Sequence, residues 1–477
     1  MKKKKSGQVY TPDHLVREIM DTAGYGGNAV LGKHVIDNSC GDGAFLKEIV
    51  KRYCNAFLSE CQNTFLLKQH LERYVHGIEI VPSEYLKCLE NLNDAAKQFN
   101  LYGVCWDVLC GDALKEHSFD GKVDYVLGNP PYVRVHNMKE SYDLAKQFRF
   151  AHGGMTDLYL AFFEIGFKML KTGGRLCYVT PSSWLTSLAG KILREYTYRN
   201  ENLLELIDLG HLQVFDATTY TIISLFIKGF RQKTFLYSIY DGTTLSKRAV
   251  GHLSFSQACI GGMFYLGKSQ DLSLLKTIRT TVCQKRVVVK NGFATLADDV
   301  FIKHDFPFSS HVISVVKAST GKWYKTFFPY DKEGRPLPYE ELCKDRDVRD
   351  YLEQNKLLLL KGKPEPLAKE WFLYGRTQAV KDVWRTKIAV NTCVKDLPSI
   401  KINVAPAGVG VYSGLYIIAD VGEGVIRCLL MCEDFLNYVK LLKKYKSGGY
   451  YTFNSKDLEL YLNFRLHSCK TYNYEQH

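Results

Sequence analysis

The sequence predicts an α/β fold: a doubly wound, mostly parallel sheet in the first half, followed by a mixed α+β second half. Three observations predict it. Short β-rich runs alternate with longer amphipathic stretches through the first half, the pattern of strands joined by crossover helices. Glycines and acidic side chains recur just past the ends of those runs. The charge balance then changes: residues 1–250 hold 30 Lys and Arg against 27 Asp and Glu, whereas residues 251–477 hold 33 against 23.

The β-rich runs fall at 34–38, 74–80, 104–110, 123–127, 175–180 and 203–209. Between them, 44–53, 83–99, 157–170 and 188–199 carry apolar residues at helical spacing. Ligands of such sheets bind at the carboxyl ends of the strands. Past the first run stands Asp37-Asn38-Ser39-Cys40-Gly41-Asp42-Gly43, whose small residues and glycines allow a tight turn close to a ligand. Past the second, Gly77-Ile78-Glu79 offers a carboxylate placed to accept both hydroxyls of a ribose. Past the third, Asp112 of Gly111-Asp112-Ala113 can accept from an exocyclic amine.

The sharpest motif follows the fourth run: Gly128-Asn129-Pro130-Pro131-Tyr132. Two consecutive prolines fix the backbone and remove two amide donors. The Asn129 amide oxygen and a neighbouring carbonyl then form a paired acceptor for an NH2 group. Tyr132 supplies a flat face on which a ring can stack.

Composition excludes several classes. Hydrophobic residues at 46% and charged residues at 24% are ordinary globular values, which excludes a disordered or collagen-like chain. No apolar stretch approaches the ~18 residues of a membrane span, and the lysine-rich start lacks the apolar core of a secretory signal. A cytoplasmic, membrane-free location is therefore expected. The 14 cysteines form no CxxC pair and no zinc-spaced cluster, so reduced thiols and no metal are expected. A near-neutral half joined to a basic half suggests an enzyme core fused to a polyanion-binding module.

In this order, these motifs resemble the gamma-class DNA N6-adenine methyltransferases of restriction–modification systems. The likeness begins at Gly7-Gln8-Val9-Tyr10-Thr11-Pro12 and continues through DNSCGDGAFL, GIE, GDAL and NPPY to Tyr178-Val179-Thr180-Pro181. Val214-Phe215-Asp216-Ala217 and the apolar run after it are similar to the segment that packs an aromatic on the target base; Tyr220 is the second choice for that aromatic. One departure is Asn38, where the family most often has proline, which implies altered loop rigidity. Looser likeness persists in WFLYGR at 371–376 and SGGYYTFNSKDL at 447–458, which look like pieces of a target-recognition domain.

The resemblance implies a class I, Rossmann-like methyltransferase dependent on S-adenosyl-L-methionine over 1–235, a linker at 236–250 and a DNA target-recognition domain over 251–477. It implies cofactor contacts from Tyr10, Thr11, Pro12, Asp37, Ser39, Cys40, Gly41, Glu79, Ile80, Asp112, Ala113, Asn129 and Pro131. Catalysis would fall to Asn129, Pro130, Tyr132 and Phe215, and a DNA contact to Arg376 of the WFLYGR segment; by its charge, the basic segment with Lys285, Arg286 and Lys290 is a further candidate for phosphate contact. The expected partners are double-stranded DNA and a separate cognate restriction endonuclease, with the protein acting as a monomer. Two other readings stay open at this point: a protein-glutamine N5-methyltransferase, whose amide substrate also suits an NPPY acceptor pair, and a catalytically silent DNA-binding subunit.

Overall fold

A computed structural model describes residues 11–135, 142–153, 156–214, 219–361 and 370–474. The chain forms two compact units, Met1–Leu274 and Leu275–His477.

The first unit contains helices α1 (Asp13–Ala23), α2 (Ala44–Glu60), α3 (Thr64–Tyr74), α4 (Pro82–Lys97), α5 (Tyr142–Lys146), α6 (Tyr159–Met169) and α7 (Lys191–Asn200). Its strands are β1 (Val35–Asp37), β2 (Val75–Glu79), β3 (Asp107–Cys110), β4 (Val123–Gly128), β5 (Leu170–Pro181), β6 (Leu203–Asp208), β7 (Thr221–Ile227), β8 (Thr234–Asp241) and β9 (Ser246–Ser254). Among the described residues they make one sheet in the order β3-β2-β1-β4-β5-β7-β6-β8-β9. Strands β1 to β5 run parallel, while β7 lies antiparallel between β5 and β6. The sheet is thus mixed and Rossmann-like, and the chain reverses its winding direction between β1 and β4. All six strand-forming runs and four helical stretches expected from the sequence are present, most with ends moved by one to three residues, while α2 runs on to Glu60 and β5 starts as early as Leu170.

The expected linker at 236–250 is corrected. Those residues form most of β8 and β9, which extend the sheet; β8 lies parallel to β6 and antiparallel to β9. The reason lies in burial. Phe235, Tyr237 and Tyr240 of β8 are buried, whereas β9 is a polar edge strand whose sequence has little apolar periodicity. A buried charge fastens the edge: Glu205 of β6 accepts from Ser238 Oγ at 2.8 Å and from Lys247 Nζ at 2.9 Å. Beyond β9, the guanidinium of Arg194 on α7 donates to the carbonyls of Trp184, Ser187 and Gly262 at 2.6–2.7 Å, so the unit continues past residue 250.

The second unit is mixed α+β. An antiparallel sheet pairs Val287–Asn291, Leu415–Ala419, Lys387–Val390 and Ile402–Ala405. A second sheet contains Ile302–Lys303, Lys322–Phe327, Val312–Lys317 and Gly410–Tyr412. Their core is aromatic, with Phe293, Phe301, Phe327 and Tyr374 buried together. No helix among the described residues is long and apolar enough to cross a membrane.

One buried cation organises this unit locally. Lys387 is 2% exposed, and its ammonium donates to the carbonyls of Asp382, Val383 and Arg385 at 2.9–3.0 Å. Burial pushes it down to about 8, although the nearby Asp382 pulls in the opposite direction. Replacing it by methionine keeps the bulk but orphans three carbonyls, at a cost of about 1–3 kcal/mol for an unsatisfied buried group. Lys387→Met should therefore lower the urea midpoint of the second unit at pH 7 without changing the denaturant slope.

Candidate functional site

The reversal between β1 and β4 is where open α/β sheets place their ligand crevice, outside the strands' carboxyl ends. The turn after β1 is built from that end upward. Asp37, 1% exposed, accepts from the Ser39 amide at 3.0 Å. A side chain at Gly128 would place its Cβ 2.6 Å from Asp37 Oδ1, so β4 must carry glycine beside this carboxylate. Gly41 sits at φ +55 and Gly43 at φ +87, in the left-handed region. A Cβ at Gly43 would strike Cys88 Sγ on α4, while the space beside Gly41 is open.

Glu79 ties this turn to β2. One carboxylate oxygen accepts from the Gly41 amide at 2.9 Å and the other from the Val81 amide at 2.8 Å. Each oxygen keeps capacity for a further donor. Beside it, Ile80 is 58% exposed, a large apolar face at the strand end. Asp112, just past β3, is half-buried and closes an Asx turn on the Leu114 amide at 3.0 Å; Ala113 is buried. Cys40 is buried with its Sγ 3.9 Å from that of Cys88, and the contact and burial together push its thiol up.

Asn38 has a structural task. Its amide oxygen accepts from the Tyr178 hydroxyl at 2.9 Å, crosslinking the turn to β5. The rigidity a proline would supply is thus replaced by a buried hydrogen bond.

The Asn129 motif leaves the end of β4. Asn129 Nδ2 donates to Thr11 Oγ1 at 3.1 Å, and its backbone oxygen receives Ser39 Oγ at 3.4 Å. Pro130 is buried; Pro131 and Tyr132 are half-buried. The Tyr132 hydroxyl donates to the Val179 carbonyl of β5 at 3.1 Å, and its ring meets Tyr159 edge-on, centroids 6.3 Å apart. Burial holds that hydroxyl well above the ordinary tyrosine range. The structure therefore brings Thr11, Ser39 and Asn129 into one network, pins Tyr132 to β5, and places Glu79, Gly41 and Asp37 in the adjoining turn. Pro12 caps α1 directly behind Thr11.

Tyr10 and Phe215 lie outside the described residues. Tyr220 is half-buried against His211, ring centroids 5.9 Å apart. Sequence reasoning missed the anchoring partners Thr11 for the Asn129 side chain, Val179 for Tyr132 and Tyr178 for Asn38; no local signal marks pairs so distant along the chain.

In the second unit the expected DNA contacts divide. Lys285 pairs with Glu459 at 3.1 Å, Arg286 with Asp420 at 3.0 Å and Lys290 with Asp382 at 2.6 Å. Their charges are largely compensated within the unit. Arg376 is exposed and has no ion pair among the described residues, and its backbone is bridged to Ala294 in both directions.

Residues 47–215 match the Eco57I restriction-modification methylase family. The chain is 27% identical over 256 residues to the type II methyltransferase M.BstVI of Geobacillus stearothermophilus, covering 50% of this chain and 45% of that protein. It is 23% identical to the type II restriction enzyme and methyltransferase RM.Eco57I of Escherichia coli, covering 78% of this chain and 48% of that one. Over these stretches the chain is similar to type II restriction–modification methyltransferases, and it spans about half the length of these relatives. The type IIL restriction-modification enzyme MmeI, solved in complex with DNA, superposes with a TM-score of 0.66 at 13% identity over 94% of this chain and 64% of its own. That likeness shows the fold alone, and it extends through both units.

Asp37 yields a pH test. Burial pushes its carboxyl up to about 8, opposed by the Ser39 amide and reinforced by Glu79 and Asp42. Its raised value means the folded state favours the protonated form; that contribution is complete below the ordinary carboxylate range and is lost as pH rises through about 8. Relative to Asp37→Asn, the melting temperature of the ligand-free protein should fall progressively from pH 4 to pH 8 and then level off. A pH-independent difference would remove Asp37 from this role.

Proposed function

We propose that the chain is a site-specific DNA methyltransferase that transfers a methyl group from S-adenosyl-L-methionine to N6 of an adenine flipped out of duplex DNA, on a class I sheet. The single observation that carries this reading is the Asn129-Pro130 acceptor pair at the end of β4, held by Thr11 and Ser39 beside the turn fastened by Glu79. The cofactor fits the donors and acceptors present. Open space beside Gly41 admits it, Glu79 retains acceptor capacity for a ribose, Asp112 suits an adenine amine and exposed Ile80 offers that ring an apolar face. When bound, the cofactor supplies an activated methyl on a sulfonium.

The residues' own work is positioning and electrostatics. Adenine N6 is a poor nucleophile because its lone pair is delocalised into the ring. Acceptance of its two hydrogens by the Asn129 amide oxygen and the Pro130 carbonyl favours a pyramidal nitrogen with an exposed lone pair. The Nδ2–Thr11 hydrogen bond orients the Asn129 amide with its oxygen turned away from Thr11. Tyr132, pinned through its hydroxyl, offers a fixed face to the extruded base, offsetting an unstacking cost of a few kcal/mol. The protein acts as a monomer in the cytoplasm, alone or beside a separate endonuclease.

The test is single-turnover methylation of duplex DNA with base-resolved detection of N6-methyladenine. Asn129→Ala loses one of two acceptors, and its rate should fall about 10²–10³-fold while cofactor and DNA still bind. A near-parent rate overturns the acceptor mechanism. Glu79→Ala should instead weaken cofactor affinity and leave DNA binding nearly intact.

A further inference from the structure

The second unit carries a concentration of positive charge that is scattered along its sequence and gathered by its fold. It centres on residues 380–387. The short helix Val380–Asp382 is terminated by the buried ammonium of Lys387, which gathers the carbonyls of Asp382, Val383 and Arg385. Gathering those carbonyls inward leaves the side chains of Trp384 and Arg385 outside: Trp384 is 39% exposed and the Arg385 side chain 60%.

Two distant turns close on this segment. Gly334, at φ +81, lies so close to Lys381 that a Cβ there would be 2.9 Å from its backbone, which brings the 331–335 turn alongside. From that turn Lys332 places its ammonium 5.8 Å from the centre of the Trp384 ring. Gly408, at φ +90, lies against the same indole, with its amide donating to the Val383 carbonyl at 3.1 Å.

The charges around Trp384 are unbalanced. Lys290, Lys332, Lys381, Arg385 and Lys387 converge, and the acid among them is Asp382, 3% exposed and taken up by Lys290 at 2.6 Å and the Tyr416 hydroxyl at 2.7 Å. Arg385 stands 3.7 Å from it. The other nearby acids, Asp331 and Glu333, are held by Arg335 at 2.7 and 3.1 Å. Lys332 and Lys381 are exposed and make no ion pair among the described residues. An exposed aromatic beside two lysines without ion pairs, Lys332 and Lys381, and an exposed Arg385 that shares its one acid with Lys290, matches a sugar-phosphate backbone: the cations meet phosphates and the indole packs on a sugar.

We infer that Lys332, Lys381, Trp384 and Arg385 form a phosphate-tracking surface for duplex DNA. The inference rests on the DNA reading above and locates that contact away from Lys285, Arg286 and Lys290.

The experiment uses the full chain and a duplex, with binding measured across salt concentrations. Each lost phosphate contact removes about 0.9 from the slope of log affinity against log salt. Lys381→Gln and Arg385→Gln should each lower the slope by about one, and the pair by about two. Lys344→Gln, at a surface lysine paired with Glu341, should leave it unchanged. The emission difference between the parent and Trp384→Phe should be quenched on duplex addition. Circular dichroism checks that the variants fold.

Parent-like slopes in folded Lys381 and Arg385 variants, with the parent binding duplex, overturn this surface and leave the methyltransferase reading standing. Stronger, Trp384-dependent binding of a single strand overturns duplex as the occupant. A parent that methylates no adenine yet shows the predicted slope losses separates the two the other way: the surface stands and the catalytic reading falls.

Discussion

The Glu79 carboxylate is the interaction on which the candidate site depends. A carboxylate 7% exposed must have hydrogen-bond partners, and here both oxygens take backbone amides, from Gly41 and Val81. That satisfies its burial and holds the first turn against the end of β2. Once that turn is fixed, Ser39 reaches the Asn129 carbonyl, and Asn129 in turn reaches Thr11. The ends of β1, β2 and β4 are thereby a single hydrogen-bonded unit rather than three loops. A preorganised acceptor pair needs this rigidity, because an electrostatic contact that must first rearrange contributes less to the barrier.

Much of this was legible because its determinants are local. Central strands of a parallel sheet are buried on both faces and read as short apolar runs, so β1, β2 and β4 to β6 stood out. The candidate-site motifs lie at the ends of β1, β2 and β4, so locating those strand ends located Asp37, Glu79 and Asn129 too, and Asp112 follows the run of β3 in the same way. The polar edge was different. β9 reads as a linker since an edge strand need not bury either face, and what secures it is Lys247 meeting Glu205, 42 residues away. Helix α3 was missed for a similar reason, with only Leu67 and Leu71 buried along its length.

Long-range pairing hid the rest. Thr11 and Asn129 lie 118 residues apart, and each motif alone gives no sign of the other. The basic segment at 285–290 looked like an interface because its acids sit far off in sequence: Asp382 is 92 residues from Lys290 and Asp420 is 134 from Arg286. Charge counted along a chain cannot tell a compensated cation from a free one.

The same argument explains why the basic second half remains meaningful after its most obvious segment is neutralised. Ion pairs remove equal numbers of both signs, so the excess of 33 cations over 23 acids must persist somewhere on the surface. Folding decides where. Asp382 is claimed by Lys290, Tyr416 and Arg385, and Asp331 and Glu333 by Arg335, so that Lys332 and Lys381, which the turn at Gly334 brings together, stand beside Trp384 without an ion pair among the described residues. A side chain at either glycine would require a strained backbone, and at Gly334 it would also strike the Lys381 backbone. The concentration of charge is thus a product of packing rather than of composition, and two glycines with positive φ are as necessary to it as the lysines.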